Sequence, residues 1–195
     1  MPHILVAGKL HPKGRALLTS AAGMTVRFIE EISEDSYAPL IHEADALLIR
    51  TQPLSAATLA RAERLRIVSR HGVGYDAVDV AALNARGISL AVCGDVNSIT
   101  VAEHAMMLIL AASKQALRAD AAVRAGPWEW RNRLEVRELS GRNLLLLGYG
   151  RIGQRIAALA GAFGMTIRAH DPYLKAQGWP AGAVSPQDDL LDGLG

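Results

Sequence analysis

The stretch NLLLLGYGRIGQRIAALAGAFGMTIRAHD, residues 143–171, decides how the rest of the chain is read. Leu144, Leu145, Leu146 and Leu147 form a short apolar run ending in glycine, the pattern of a buried parallel strand. Gly148, Gly150 and Gly153 then fit G-x-G-x-x-G. From Ile152 the apolar residues Ile156, Leu159, Ala160 and Phe163 recur at helical spacing, and Gly164 stands where such a helix stops. A second strand over 165–169 leads to His170 and Asp171. The unit is strand, glycine turn, helix, strand, acid.

Each part has a physical task in holding a dinucleotide. Gly148 permits the tight turn, Gly150 clears a side chain from the path of a pyrophosphate, and Gly153 lets helix and strand approach closely. The helix N-terminus offers unpaired amides and a positive dipole end to the phosphates. Asp171, at roughly the 20-residue spacing expected, is placed to accept hydrogen bonds from the adenosine ribose. A carboxylate there repels a 2′-phosphate, so the expected cofactor is NAD rather than NADP.

Composition bounds the alternatives. The 195 residues suffice for one large domain or two small ones, half are hydrophobic and 21% are charged, an ordinary globular balance. A net charge of +2 from scattered basic residues, with no zinc spacing, does not point to nucleic acid. The apolar run over 105–112 is too short to span a bilayer. The start Met1-Pro2-His3 leads straight into a strand without a secretory pattern. A single cysteine, Cys93, cannot form an internal disulfide, and the expectation is a reducing, cytoplasmic setting.

Before this unit, strands are expected over 3–7, 24–29, 45–50, 66–69 and 88–92, alternating with helices over 12–22, 33–43, 55–65 and 78–85. That alternation means βαβ units and a parallel sheet. Thr100 and Glu103 match a capping box at the head of a helix. The run at 105–112, apolar all round, predicts a helix buried between domains or subunits, and 116–125 predicts another ended by Gly126 and Pro127. A helix start is expected at Ser185. A complete dinucleotide domain has about six strands with the first in the middle of the sheet. Only two are read here, which leaves 144–147 as an exposed edge.

Three motifs, in order and spacing, give the chain a resemblance to a known family across essentially its whole length. They are Arg70-His71-Gly72-Val73-Gly74-Tyr75-Asp76; Asn97-Ser98 with Val101-Ala102-Glu103-His104; and the 148–153 turn with Asp171-Pro172-Tyr173. The chain resembles the N-terminal portion of the NAD-dependent D-2-hydroxyacid dehydrogenases, the group that includes D-3-phosphoglycerate dehydrogenase and the glyoxylate and hydroxypyruvate reductases.

The resemblance implies an α/β fold: a flavodoxin-like N-terminal domain over 1–98, the catalytic or lid domain. Residues 99–195 would be interdomain helices plus the first part of a Rossmann dinucleotide-binding domain with an incomplete parallel sheet. It implies hydride transfer between NAD(H) and a small 2-hydroxyacid or 2-oxoacid. Backbone amides of Gly72, Val73 and Gly74 would hold the substrate carboxylate, as an anion nest or else as an ordinary strand-to-helix turn. Arg50 and Thr51 match a substrate-binding position, with a solvated surface arginine as the equal alternative. Val73, Val101, Gly148, Gly150, Arg151, Ile152, Gly153 and Asp171 are the implied cofactor contacts. His71 is a substrate contact or a packed or solvated histidine, Glu103 a helix cap, His104 a buried helix residue.

The family's catalytic arginine, glutamate and histidine lie in segments beyond position 195. None of His3, His11, His42, His71, His104 and His170 shows a convincing acidic partner in sequence. The expectations are therefore a C-terminally truncated dehydrogenase, inactive alone, that pairs as a homodimer through the helices over 100–125 and contacts neither nucleic acid nor membrane. The alternative is a non-catalytic NAD-binding or dimerising remnant with a regulatory role.

Overall fold

The computed structural model describes residues 1–126, 128–133, 135–180, 182 and 184–187. The chain divides into two compact units, Met1–Val96 and Asn97–Gly195.

The first unit alternates strands and helices. β1 (His3–Ala7), α1 (Pro12–Ser20), β2 (Thr25–Ile29), a 3-10 turn (Ala38–Glu43) and β3 (Ala46–Ile49) come first. Then follow α2 (Ala56–Ala60), β4 (Ile67–Arg70), α3 (Val80–Ala85) and β5 (Ser89–Val92). The strands make one parallel sheet in the order β2-β1-β3-β4-β5, the flavodoxin-like order, whose direction of winding reverses between β1 and β3. Leu5, Leu47, Ile49 and Val68 from the central strands are buried, and Tyr37, Ile41, Leu54, Leu59 and Leu83 close over them. Burying each such aliphatic side chain contributes about 1.5–3 kcal/mol. Caps fix the helix starts: the Ser55 hydroxyl accepts from the Thr58 amide at 3.3 Å, and Asp79 from the Ala82 amide at 2.9 Å.

One expected helix fails. Residues 33–43 form only the 3-10 turn at their end. Pro39 cannot donate an amide hydrogen bond and restricts Ala38 before it. Upstream, Glu34 and Tyr37 spend their side chains on distant partners, described below.

The second unit opens with α4 (Ser98–Ser113) and α5 (Ala116–Ala125), then a 3-10 turn (Trp128–Arg133). β6 (Asn143–Leu147), α6 (Arg151–Ala162), β7 (Thr166–His170), α7 (Pro172–Gln177) and β8 (Ser185–Pro186) complete it. β6, β7 and β8 pair in parallel in that order. The helix expected at Ser185 is thus a short third strand, with Ser185 beside Arg168 and Pro186 beside Ala169; the remainder of that expectation, 188–195, lies outside the described residues. β6 forms an edge of this sheet, and Leu147 at its end is 69% exposed. α6 turns Ile156, Ala157 and Ala160 toward β6 and β7, and Gly164, at φ 74°, ends it as expected.

Two features of α4 differ from expectation. It starts at Ser98 with Asn97 as its N-cap and no side-chain cap bond, so Thr100 and Glu103 are exposed residues within its first turns rather than a capping box. Nor is it buried all round. Ala102 and Met106 pack inward, toward α6, while Met107 and Leu108 are about half exposed. His104 is likewise exposed, because it shares that outer face.

Candidate functional site

In the second unit the three motif glycines are held to their positions by different forces. Gly148 has φ 94°, a left-handed conformation that costs any residue with a Cβ. At Gly153 a Cβ would stand 2.3 Å from the Gly148 carbonyl oxygen, a backbone atom that cannot move aside. Gly150, the N-cap of α6, has φ −75° and would meet no protein atom within 4 Å if it carried a Cβ. The fold needs glycine at 148 and 153; at 150 neither the backbone conformation nor packing against the described residues requires it.

Asp171 faces this turn. Its Oδ2 accepts from the Tyr149 amide at 2.8 Å, tying the end of β7 to the middle of the glycine motif. Its Oδ1 accepts from the amides of Tyr173 at 3.0 Å and Leu174 at 3.1 Å, capping α7. The Tyr149 amide above all, then that of Leu174, holds the carboxyl below its usual range, against a smaller opposing effect of burial. Three of roughly four acceptor positions are taken, which leaves one on Oδ2 beside the turn. Tyr149 is buried with its ring 5.9 Å from that of Trp179, and the Gln154 side chain donates to the Tyr149 carbonyl at 3.1 Å, so the turn is braced from both sides. The first-turn amides of α6, at Arg151 and Ile152, precede the helix's own hydrogen-bond ladder.

In the first unit, parallel strands bring their carboxyl ends to one edge. There the ends of β1 (Gly8), β3 (Arg50, Thr51, Gln52) and β4 (Arg70 to Gly74) assemble. The His71 amide donates to the Ile49 carbonyl at 2.8 Å, linking the last two. The Gly72 amide donates to the Arg70 carbonyl at 2.8 Å, so of the expected nest only the amides of Val73 and Gly74 are without a backbone partner among the described residues. The Arg70 guanidinium folds over this turn and donates to the His71 carbonyl at 2.7 Å. Arg50, Thr51 and His71 are exposed.

A sequence model of the D-isomer specific 2-hydroxyacid dehydrogenase catalytic domain matches residues 4–173. The chain belongs to that family. It is 40% identical over 192 residues to D-3-phosphoglycerate dehydrogenase of Mycobacterium tuberculosis, a match covering 98% of this chain and 35% of that protein. A hydroxypyruvate reductase of Thermotoga maritima is 37% identical over 144 residues, 73% of this chain and 47% of that one. Among solved structures, an NADPH-dependent glyoxylate/hydroxypyruvate reductase from Sinorhizobium meliloti superposes with a TM-score of 0.79 at 29% identity, covering 98% of this chain and 60% of its own. A Thermus thermophilus protein reaches 0.85 at 27%, with 98% and 61% covered. The chain thus spans about a third of the length of the curated phosphoglycerate dehydrogenases it matches.

Among the described residues one histidine stands within ion-pair reach of a carboxylate. His42 and Glu43 approach to 3.6 Å, but both are about half exposed. Among the described residues no group of three or more His, Cys, Asp or Glu side chains is arranged to hold a metal ion. No helix there is long and apolar enough to cross a membrane. Cys93 is a half-buried free thiol whose sulfur leans on the Arg70 carbonyl at 3.7 Å.

The structure also brings forward residues that the motifs passed over. Gln52 is 1% exposed and packs beneath Gly8, which at φ 109° leaves it room. Glu34, Tyr37 and Trp179 join it as side chains in contact with candidate site elements. A polar residue directly after an Arg-Thr strand end was the available signal for Gln52; nothing local marked the other three.

Proposed function

We propose that the second unit binds NAD(H) and the first binds the carboxylate of a small 2-hydroxyacid or 2-oxoacid, as parts of a D-2-hydroxyacid dehydrogenase. One observation carries the reading: the Asp171 carboxylate bonded into the same turn where Gly150 leaves space that the fold does not need. In it Gly148, Gly150 and Gly153 shape the phosphate cradle, and the amides of Arg151 and Ile152 with the α6 dipole face the diphosphate. Val101 and Val73 are the remaining cofactor contacts. Asp171 keeps one acceptor position for a ribose hydroxyl, and its charge disfavours a 2′-phosphate, which supports NAD over NADP. The cofactor when bound supplies the hydride acceptor; the chain's own residues bind and orient.

For substrate, Val73 and Gly74 offer two free amides beside the Gly72 turn, and Arg50 with Thr51 offers a cation and a hydroxyl at the neighbouring strand end. The phosphoglycerate and hydroxypyruvate relatives support a phosphorylated or hydroxylated three-carbon acid. A homodimer through the helices over 100–125 is supported by the exposed apolar side chains Val101, Met107, Leu108, Leu117 and Val123. The lone free cysteine supports a cytoplasmic setting.

Fluorescence titration with NADH and NADPH tests the cofactor assignment. NADH should bind at least tenfold more tightly, and Asp171→Ala should erase that margin; equal binding of both by the unaltered protein defeats it. An assay of NADH oxidation with glyoxylate, hydroxypyruvate or 3-phosphohydroxypyruvate should show no turnover by the 195-residue chain; robust turnover overturns that expectation.

A further inference from the structure

The loop after β2 is where the expected helix is missing, and its side chains explain what it does instead. Four hydrogen bonds join it to the segment after β3. The buried Gln52 amide donates to the Glu31 carbonyl at 2.8 Å while its Oε1 accepts from the Thr51 amide at 3.1 Å. Glu34 Oε1 accepts from both the Ser55 amide at 2.8 Å and the Ser55 hydroxyl at 2.7 Å. The Tyr37 hydroxyl, on a wholly buried ring, donates to the Pro53 carbonyl. Between these fasteners, residues 50–55 have no regular structure of their own apart from the isolated bridge of Leu54 to Val78. Gly8 completes the seat: a Cβ there would come within 2.8 Å of the Arg50 Cβ and 3.0 Å of Gln52 Oε1.

We propose that residues 31–37 are a positioning clamp that fixes the turn carrying Arg50 and Thr51, with Gln52, Glu34 and Tyr37 as its fasteners. The inference rests on the substrate role given above to Arg50 and Thr51. Backbone bonds hold the two ends of the turn, from the Arg50 amide to the Ala7 carbonyl at 3.0 Å and from the Leu54 amide to the Ala77 carbonyl at 2.8 Å. Between them side chains hold Thr51, Gln52 and Pro53, and a buried polar side chain such as Gln52 left without partners costs enough that the arrangement persists only when its bonds are made. Glu34 fits the role electrostatically. Burial pushes its carboxyl up, yet hydrogen bonds from Thr58 and Ser55 outweigh this and hold it below its usual range, so it is a charged acceptor throughout the neutral range. Gln52, Glu34 and Tyr37 are positioning residues and touch no substrate.

The test uses the whole chain, with Gln52→Met to keep side-chain volume while removing both bonds, and Tyr37→Phe to remove a hydroxyl from an intact ring. Hydrogen exchange of the Thr51 amide should speed up about tenfold in Gln52→Met, the worth of one such bond, while the β3 amides of Leu47 and Leu48 are unchanged. Titration with D-3-phosphoglycerate, followed by amide chemical shifts, should show affinity about three- to tenfold weaker in Gln52→Met, with Tyr37→Phe shifted the same way by less. Unchanged Thr51 exchange overturns the clamp. Faster exchange with unchanged D-3-phosphoglycerate affinity, where Arg50→Ala does weaken binding, overturns its positioning role. If Arg50→Ala leaves both affinity and exchange untouched, the substrate reading of Arg50 fails, and the exchange result alone decides the clamp.

Discussion

Two glycine turns end strands in this chain, one in each unit, and they are built on opposite principles. The turn at 148–153 is closed by backbone: a left-handed Gly148, a Gly153 pressed against the Gly148 carbonyl, and a twelve-residue helix growing directly from it. The turn at 72–74 is closed by single backbone bonds, Gly72 to Arg70 and Cys93 to Gly72, with the Arg70 side chain folded over it and no helix until Val80. A diphosphate is a large, fixed anion that a helix terminus can meet with several aligned amides. A small carboxylate needs only two or three donors, and these can be set by neighbouring loops. The first turn is continuous with a helix, whereas the second stands apart from one.

The contrast breaks first at Gly153. Replacing it with alanine sets a methyl carbon against a backbone oxygen at 2.3 Å, so helix and strand must separate. The expected loss is about 3 kcal/mol, near the top of the range for overpacking, read as a lower denaturation midpoint in urea. A loss below 0.5 kcal/mol would mean the turn is not backbone-limited. Gly148→Ala has space for its methyl but not the conformation, and should cost about 1–2 kcal/mol. Gly72→Ala in the other turn meets the movable end of Arg70, at 2.5 Å, and also carries a φ of 159° that L side chains rarely adopt, so it should cost less than Gly153→Ala and about as much as Gly148→Ala.

Asp171 joins the two ends of the backbone-built turn, and its removal is the next smaller effect. Asp171→Ala deletes the cap of α7 and the Tyr149 link together, for about 1 kcal/mol by the usual worth of a cap. Its pH signature has a definite sign. The folded-state carboxyl titrates below its ordinary value of about 3.8, so its contribution is complete above that value and is lost as pH falls through the lower folded one. Urea midpoints of the parent and Asp171→Ala proteins should be separated by a constant gap from pH 5 to 7 that narrows below pH 4. A gap that narrows instead between pH 5 and 7 would contradict the assignment.

How legible each region was in sequence follows the same division. Residues 143–171 are readable because every determinant is local: the leucine run, glycines at fixed spacing, the apolar stripe at Ile156 and Ala160, the acid after the second strand. That β1 to β5 form a parallel sheet is likewise expected from alternation alone, whereas their flavodoxin-like order is implied only by the family resemblance. Residues 33–43 carry enough apolar periodicity to suggest a helix, but Glu34 and Tyr37 are committed to Ser55 and Pro53, partners that no local window contains. The outer side of α4, with His104, is exposed in the single chain, because an all-apolar run does not mark which of its faces packs within the chain. Gln52 escaped for the reason Glu34 did: its significance lies in Glu31 and Gly8, distant in sequence and adjacent in the sheet.

The sharpest separation of fold from function lies at Gly150, where the expected effect on stability is smallest. Its φ of −75° suits any residue, and a methyl there would touch nothing in the protein. Gly150→Ala should therefore unfold within 0.5 kcal/mol of the parent, the range of a neutral surface change. If the proposed cofactor site is right, the same methyl stands in the path of a diphosphate toward the first-turn amides of α6, and the NADH affinity should fall at least tenfold. D-3-phosphoglycerate binding at the 72–74 turn should not change, whereas Gly72→Ala should weaken D-3-phosphoglycerate and leave NADH alone. If Gly150→Ala binds NADH as the parent does, the space beside that glycine has no ligand to serve, and the backbone-built turn is a packing device no different in purpose from Gly153.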